Sequence, residues 1–234
     1  MYKNKKISIV FPAYNEEKGI RKAIEDFFSI RIVDEIIVVD NNSNDRTAEI
    51  AKKTNARLVQ EKKQGYGFAL IKGLKESKGD LIFTVEPDGT FDAKDVFKFL
   101  KYIEGYDAIF GTRTNMKLNE KGSKMSFFLR LGNISLAKFI QFLYKGPKLT
   151  DIGCTFKLIK KDALKKISHD FSEGLSAFSP EFMIVCIKKR LKIMEIPIKY
   201  KKRIGCSKIT NNFWNSFKLG LRMINIILRN KIRK

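Results

Sequence analysis

The sequence predicts an α/β fold in which a mostly parallel central sheet is flanked by helices. Over the first 111 residues, short apolar runs that favour strands alternate with segments of helical periodicity. Polar clusters follow three of these runs, at the position where such sheets bind their ligands. The chain has 234 residues, 44% of them hydrophobic, which is enough to bury one substantial core.

Predicted strands and helices follow one another in a regular order along the amino-terminal half. Apolar runs rich in β-branched residues predict strands at 7–11, 35–40, 56–60, 81–85 and 107–111. Helical patterns occupy the intervals, near 16–29, 45–54, 66–77 and 93–104. Because each strand is followed by a helix, neighbouring strands should run parallel.

After residue 111 the pattern changes to longer helical segments. An aromatic-rich helical stretch covers 123–145, a further helix begins near Pro180, and an apolar strand is predicted at 192–200. No internal repeat and no low-complexity linker divides the chain. We therefore expect one domain over residues 1–210.

Three polar clusters mark the expected ligand site. They are "PAYNEE" (12–17), "DNNSNDRT" (40–47) and "EPDGT" (86–90), and each begins at the end of a predicted strand. Because ligands of parallel sheets bind beyond the carboxyl ends of the strands, the clusters should converge on one cleft. "DNNSNDRT" and "EPDGT" taken singly are also ordinary cap and turn sequences.

The third cluster carries two acidic side chains that suit a divalent cation. Glu86 and Asp88 are hard oxygen ligands, two residues apart at a strand end. Mg²⁺ is typically held by one or two carboxylates together with substrate phosphates. We therefore expect Glu86 and Asp88 to hold a metal ion that carries a diphosphate.

Positive charge is concentrated in the carboxy-terminal part of the chain. Of a net charge of +22, residues 188–234 contribute +14, with 15 Lys and Arg residues against one acid, Glu195. This asymmetry indicates an anionic partner, either nucleic acid or a membrane surface, although a basic face is also ordinary solvated surface.

Residues 211–229 predict an amphipathic helix. Its polar side carries Asn211, Asn215, Lys218, Arg222, Asn225 and Arg229, and its apolar side carries Phe213, Trp214, Phe217, Leu221, Ile224, Ile227 and Leu228. Two interpretations stay open: the helix packs on its own domain, or it lies in the plane of a membrane surface, which the basic stripe and the tryptophan favour. On the second interpretation, 211–234 is a membrane-surface segment.

Several classes of site and of location are not expected. Three separated cysteines, Cys154, Cys186 and Cys206, indicate neither a disulfide framework nor a zinc site. A single histidine, His169, argues against a Ser-His-Asp triad, and there is no Walker phosphate loop. No export signal and no apolar stretch of about 18 residues occurs. We expect a cytoplasmic protein, peripheral on the inner face of the cell membrane.

Six motifs in order resemble the family 2 glycosyltransferases of the GT-A fold. They are "IVFPAYNEEKGI", "IIVVDNNSNDRT", "EPDGTFDAKD", "DIGCTFKLIKKDAL", "SPEFMI" and "EIPIKYKKRIGCSKI". The match spans about residues 5–210 and is most similar to the dolichol-phosphate mannose synthase-like branch. It implies a Rossmann-like sheet, Mg²⁺ or Mn²⁺ as cofactor, and inverting transfer of a hexose from a UDP- or GDP-sugar to a polyprenyl phosphate of the dolichyl type.

The same resemblance assigns roles to individual residues. The implied nucleotide pocket consists of Pro12, Ala13, Tyr14, Glu16 and Asp40. Glu86 and Asp88 would take the place of the D-x-D metal pair. The implied catalytic residues are Asp88 and Asp151, the latter to orient or deprotonate the acceptor. The implied acceptor-phosphate contacts are Arg113, Arg130, Arg203, Ser207 and Lys208.

The chain departs from the usual family pattern at two positions. Glu86 stands where relatives carry the first aspartate of the metal pair, which keeps the charge on a longer arm. Asn41 follows Asp40 where many relatives carry a second aspartate, so one possible carboxylate is lost.

Two alternative functions stay open at this point. A family 2 transferase that acts on a sugar hydroxyl or a lipid-linked saccharide would need Asp151 as an essential base. A basic α/β module that binds nucleic acid is the non-enzymatic alternative; the acidic cleft residues and the lack of a recognised nucleic-acid motif argue against it.

Overall fold

A seven-stranded mixed sheet forms the centre of the computed structural model, which describes residues 1–123, 125–205 and 213–232. In chain order the strands are β1 (Ile7–Ala13), β2 (Glu35–Asp40), β3 (Arg57–Gln60), β4 (Leu81–Thr84), β5 (Ala108–Thr112), β6 (Lys157–Lys160) and β7 (Ile193–Pro197). Their spatial order is β3-β2-β1-β4-β6-β5-β7. All six strands predicted from the sequence are present, so the predicted fold class is confirmed.

Eight α-helices lie within these residues. They are α1 (Ile20–Ser29), α2 (Thr47–Lys52), α3 (Tyr66–Glu76), α4 (Val96–Tyr102), α5 (Phe127–Tyr144), α6 (Lys161–Ile167), α7 (Phe178–Lys188) and α8 (Phe213–Ile232), and α8 packs on α5 and α7. The helix predicted at 16–29 begins only at Ile20, because the residues before it form the loop that leaves β1.

One reversed strand separates two parallel parts of the sheet. β1 pairs in parallel with β2 and β4, β2 with β3, and β5 with β7, whereas β6 runs antiparallel to both β4 and β5. The sequence pattern does not indicate β6, since it has four residues and begins and ends with lysine. Because β6 opposes both neighbours, β5 and β7 keep the direction of β4. The carboxyl ends of β1, β2, β4, β5 and β7 therefore open on one edge.

The core lies on both faces of the sheet. In β1, Val10 belongs to the buried cluster that includes α3, α5 and α7, while Ile9 and Phe11 belong to the cluster on the opposite face with α1 and α4. A β-carbon at Gly73 would lie 2.3 Å from Val10 Cγ1, so the glycine allows α3 to approach the sheet closely. Each fully buried large apolar side chain contributes about 1.5 to 3 kcal/mol.

Helix α8 is docked on the domain by one of its sides. Met223, Ile226 and Ile227 are buried in the cluster that contains α5 and α7, and Tyr144 Oη donates to the Ile227 carbonyl at 2.6 Å. The boundary expected at 210/211 lies outside the described residues. Of the predicted apolar side, Ile227 is buried against the domain, whereas Trp214, Phe217, Leu221 and Leu228 are exposed. Each of the two interpretations of this helix thus accounts for part of its surface.

No helix among the described residues is both long enough and apolar enough to cross a membrane. Cys154 and Cys186 are buried and unbonded, and Cys206 lies outside the described residues.

Beneath the sheet edge, a lysine is buried, and it forms no ion pair with a carboxylate among the described residues. Lys157 is 2% exposed, and its ammonium donates to the Ser179 hydroxyl at 2.8 Å and to the Cys154 carbonyl. Burial lowers the pKa of Lys157 from 10.5 to about 8. Below about pH 8 the lysine is charged in both the folded and the unfolded state, and the folded state bears the full cost of burying the charge.

We predict that this cost is relieved as the pH rises. Between pH 8 and 10.5 the unfolded chain binds the proton that the folded chain has lost, so the stability of the wild type should rise relative to Lys157→Met by up to about 3 kcal/mol. Urea unfolding at about pH 7.5 and about pH 10 measures this difference. Lys160→Met, at the solvent-accessible end of β6, is the control. Parallel pH profiles of wild type and Lys157→Met would contradict the prediction.

Candidate active site

Loops from the carboxyl ends of three neighbouring strands are tied together by hydrogen bonds. The loop after β1 is bound to the loop after β2, since the Asn15 amide donates to Ser43 Oγ at 3.0 Å and the Glu16 amide donates to Thr47 Oγ1 at 2.8 Å. The Ile204 amide, beyond β7, donates to the Asp88 carbonyl at 2.8 Å. Arg203, next to Ile204, contacts Glu16 of the first cluster and Glu86 of the third, so the three polar clusters found in the sequence converge.

A cavity of about 1240 Å³ opens between these loops and helices α5 and α8. The predicted site residues that line it are Pro12, Ala13, Tyr14, Glu16, Glu86, Arg113 and Arg203. Asp40, Asp88 and Asp151 are buried behind its wall. Apolar side chains of α5 and α8, among them Phe128, Leu136 and Phe217, form the side farther from the sheet. One part of the cavity is thus charged and another part is apolar.

Three carboxylates in the charged part share one guanidinium group. Arg203 Nη2 donates to Glu16 Oε1 at 3.0 Å, and Arg203 Nη1 lies 3.5 Å from Glu86 Oε2 and 2.7 Å from Asp88 Oδ2. The contact with Asp88 lies outside hydrogen-bond geometry, so Asp88 Oδ2 is buried without a hydrogen-bond partner among the described residues. The sequence motif places Arg203 with the acceptor; the structure places it on the proposed metal pair.

Arg203 does not fully neutralise the negative charge of the Glu86 and Asp88 pair. Burial, and then the charge of Asp88, raise the pKa of Glu86 to about 8, while Arg203 acts in the opposite direction. Asp88 Oδ1 is held in place by the Thr90 amide at 2.9 Å, which leaves only Oδ2 available to a ligand.

Arg113 and Asp151 form a second, separate ion pair. Arg113 Nε and Nη2 each donate to an oxygen of Asp151 at 2.8 Å, and the Arg113 and Gly153 amides donate to the same carboxylate at 2.9 and 3.1 Å. Asp151 is 0% exposed. The pKa of Asp151 is lowered: burial raises it, but the charge and hydrogen bonds of Arg113 outweigh that effect. This carboxylate is therefore poorly placed to accept a proton and well placed to hold Arg113 in the cavity wall.

Glu195, which belongs to none of the predicted site residues, holds the backbone next to this ion pair. Its carboxylate accepts the Thr150 amide at 2.8 Å, the Thr150 hydroxyl at 2.6 Å and the Asp151 amide at 3.0 Å. Burial raises the pKa of Glu195. The signal in the sequence is that Glu195 is the only acid in residues 188–234, inside an apolar strand.

Asn41 has a structural task that a carboxylate could not perform. Its Nδ2 donates to the carbonyls of Glu61 and Lys63 at 2.9 and 2.8 Å, and its Oδ1 accepts the Gly65 amide at 2.7 Å. The side chain is almost fully buried. An aspartate has no N–H to offer the two carbonyls, which explains why the departure from the family pattern is compatible with this loop.

Asp40, next to Asn41, keeps one oxygen unused. Asp40 is 3% exposed, lies beside Ala13 in the β1–β2 register, and its Oδ1 has no hydrogen-bond partner among the described residues. A buried acceptor without a donor makes Asp40 a candidate contact for a ligand or a bound water.

The remaining predicted acceptor contacts do not join the site in the described part of the chain. Arg130 Nε donates to the Thr114 carbonyl at 2.9 Å, and Arg130 does not line the cavity. Ser207 and Lys208 lie outside the described residues.

Fold and site together define a GT-A-type glycosyltransferase. Glucosyl-3-phosphoglycerate synthase from Mycobacterium tuberculosis, solved with Mn²⁺, UDP and phosphoglyceric acid, has a similar fold with a TM-score of 0.75. The alignment covers 98% of this chain and 79% of that one at 17% identity, so the likeness concerns the fold alone.

The chain belongs to glycosyltransferase family 2. The family model described as "Glycosyl transferase family 2" matches residues 8–168. A protein of Haloferax volcanii named dolichyl-phosphate hexose transferase is 30% identical over 97% of this chain and 96% of its own length. A second relative, of Methanococcus voltae, named UDP-N-acetylglucosamine–dolichyl-phosphate N-acetylglucosaminyltransferase, is 29% identical over 84% of this chain and 86% of its own. The predicted family and branch are confirmed. The chain is therefore an enzyme, and the alternative of a non-enzymatic nucleic-acid-binding module is rejected.

We predict that Asn41→Asp loosens the loop at 61–65. Two buried carbonyls would lose their donor, and each such loss costs about 1 to 3 kcal/mol. Urea unfolding should therefore show a loss of about 2 kcal/mol or more, with faster amide hydrogen exchange over 61–65. Asn55→Asp, the same change at an exposed position outside this loop, is the matched control. Equal stability of the two variants would contradict the role given to Asn41.

Proposed function

We propose that this glycosyltransferase moves a hexose from a nucleotide sugar to a polyprenyl phosphate of the dolichyl type, with inversion at the anomeric carbon. The observation that carries the proposal is the divided cavity, charged where it meets the sheet and apolar between α5 and α8. An acceptor with a phosphate head and a hydrocarbon chain matches both parts. The names of the two relatives, which cover most of this chain, support the same acceptor.

The nucleotide of the donor is proposed to lie at the carboxyl ends of β1 and β2. Pro12, Ala13, Tyr14 and Glu16 line the cavity there. The unused Oδ1 of Asp40 suits an N–H of the base, since a buried carboxylate oxygen gains most from a donor.

Glu86 and Asp88 fit a divalent cation held together with the donor diphosphate. Both provide hard oxygen ligands, and Asp88 Oδ2 is buried with no hydrogen-bond partner among the described residues. In that part of the chain no three His, Cys, Asp or Glu side chains are grouped to hold a metal by themselves, so phosphate oxygens would complete the ligand set. When bound, Mg²⁺ or Mn²⁺ neutralises the charge that develops on the leaving diphosphate.

The acceptor phosphate is proposed to bind at Arg113. A phosphate is already anionic near neutral pH, so its oxygen can attack the anomeric carbon without a strong base. Arg113 lines the cavity, and its Nε and Nη2 donate to Asp151. Its Nη1 does not contact Asp151, so it can donate to a phosphate oxygen. Asp151 then acts as a positioning residue, since it is fully buried and accepts four hydrogen bonds.

Transfer to a sugar hydroxyl has less support. That reaction calls for a base that reaches the acceptor, and the predicted candidate, Asp151, lies behind the cavity wall. The acceptor phosphate proposal has no such requirement.

The protein is proposed to act at the inner face of the cell membrane as a peripheral protein. Phe128 of α5 and Phe217 of α8 are exposed aromatic residues that line the apolar part of the cavity. The exposed rings of Phe127 and Trp214 lie beside them, at centroid distances of 5.9 and 6.3 Å. Such side chains at the mouth of the cavity allow a lipid chain to remain in the bilayer while its head reaches Arg113.

We predict that Asp88→Asn abolishes most transfer while the protein stays folded. The amide still accepts the Thr90 hydrogen bond but carries no charge, and loss of one such electrostatic group typically costs about 100-fold or more in rate. Calorimetry should show that Mn²⁺ no longer strengthens UDP binding. Asp92→Asn, four residues along the same loop, keeps its helix cap and serves as control. Full activity of Asp88→Asn in the presence of EDTA would remove the metal assignment.

We predict that Arg113→Lys weakens acceptor use and spares donor binding. Lysine keeps the charge but loses the fork, and one hydrogen bond to a charged group is worth about 1.5 to 3 kcal/mol, so KM for a polyprenyl phosphate should rise by at least about tenfold. Arg130→Lys, outside the cavity, should change KM little. If Arg113→Lys keeps the wild-type KM for the acceptor, the phosphate site lies elsewhere.

A further inference from the structure

A second cavity adjoins the candidate active site along helix α8. Its volume is about 760 Å³, and it lies between α8 and the loop that precedes α7. Leu219, Leu221 and Arg222 line both cavities. The second cavity, called here the basic pocket, contains none of the residues assigned to the donor, the metal or the acceptor phosphate.

The basic pocket carries an excess of positive charge among its described lining residues. Lys218, Arg222 and Arg229 face a single acid, Glu173. Glu173 is 6% exposed and already accepts the Leu175 amide at 2.8 Å and Arg222 Nη2 at 3.0 Å. Arg222 Nε is buried with no hydrogen-bond partner among the described residues. Two positive charges and one unused donor therefore remain for an anion.

The geometry of the helix puts these groups on one stripe. Lys218, Arg222, Asn225 and Arg229 recur at steps of three or four residues, which places them on one face of α8. Immediately beside this stripe, Trp214, Phe217 and Leu221 are exposed by 66%, 49% and 51%. The side of α8 that faces away from α5 and α7 is thus part basic and part apolar.

We infer that the basic pocket binds the phosphate head group of an anionic membrane lipid, while Trp214, Phe217 and Leu221 insert among the acyl chains. A free phosphate would use the same three cations but would gain nothing from the neighbouring exposed aromatic residues. A lipid uses both, since amphipathic helices of this kind combine apolar insertion with attraction to anionic head groups.

This inference rests on the proposal that α8 lies at a membrane surface, and it adds a function to that contact. Because Leu221 and Arg222 also line the catalytic cavity, a lipid head held in the basic pocket fixes how the mouth of that cavity faces the bilayer. The pocket is then an orienting site, distinct from the site where the acceptor phosphate reacts.

The experiment uses the only tryptophan of the chain, Trp214, as the probe. Its emission should shift to shorter wavelength when the full-length protein binds vesicles of phosphatidylcholine that contain phosphatidylglycerol. In Lys218→Gln/Arg229→Gln the apparent affinity should fall by about 30-fold, since each basic residue near an anionic surface contributes on the order of 1 kcal/mol. Lys52→Gln/Lys75→Gln removes the same charge from exposed positions on α2 and α3 and should lose less than about threefold.

A conservative variant separates a pocket from diffuse attraction. Arg229→Lys keeps the charge and loses the forked donor, so a specific phosphate site predicts a loss of about tenfold. Vesicle binding equal to wild type would overturn the pocket. Calorimetry with inorganic phosphate tests whether the pocket binds free phosphate instead of a lipid. The lipid would be overturned as the ligand by two results together: phosphate binding depends on Lys218 and Arg229, and the double variant binds vesicles like wild type.

A soluble acceptor distinguishes failure of this inference from failure of the proposed function. Transfer to a short-chain isoprenyl phosphate should be the same in wild type and in Lys218→Gln/Arg229→Gln. If the double variant loses that transfer, the pocket belongs to the acceptor site and the inference is wrong. If the wild type does not use the soluble acceptor but binds anionic vesicles through these residues, the orienting site stands and the proposed acceptor fails.

Discussion

The site depends on one arginine placed among three carboxylates. Glu16, Glu86 and Asp88 come from loops after β1 and β4, and Arg203 reaches them from the segment beyond β7. Without a cation these like charges in a largely buried place would oppose one another's ionisation. The same segment is bound to the 86–90 loop through the Ile204 amide, so neutralisation of the carboxylates and closure of the loops depend on each other. Any ligand that brings its own cation must compete with Arg203 or share its oxygens.

The second ion pair has a different character because both oxygens of its carboxylate, Asp151, are fully hydrogen-bonded. Asp151 accepts four donors and Glu195 holds the backbone beneath it, so this unit is rigid and has no oxygen left for chemistry. Buried charges stay stable only when such partners are present. The site therefore combines an under-neutralised carboxylate pair, suited to a cation, with a fully hydrogen-bonded aspartate, Asp151, that holds Arg113 at the cavity wall.

Helix α8 connects the chemistry to the surface of the molecule. Its inner side, with Met223, Ile226 and Ile227, belongs to the main core, so removal of the helix would expose part of that core as well as any membrane contact. Its flanks line the candidate active-site cavity and the basic pocket. Point substitutions on the outer side of α8 are thus better probes of membrane binding than truncation.

Local sequence patterns were sufficient to predict the alternating strands and helices, the three polar clusters at strand ends and the family. Each of these features depends on residues that are neighbours in the sequence. Partner choice was not local. Arg203 lies 117 residues from Glu86, and Arg113 and Asp151 are separated by 38, so only the folded chain decides which cation meets which acid. The reversed strand β6 and the burial of Asp151 likewise follow from packing rather than from composition, since a four-residue strand and a lone aspartate carry no pattern of their own.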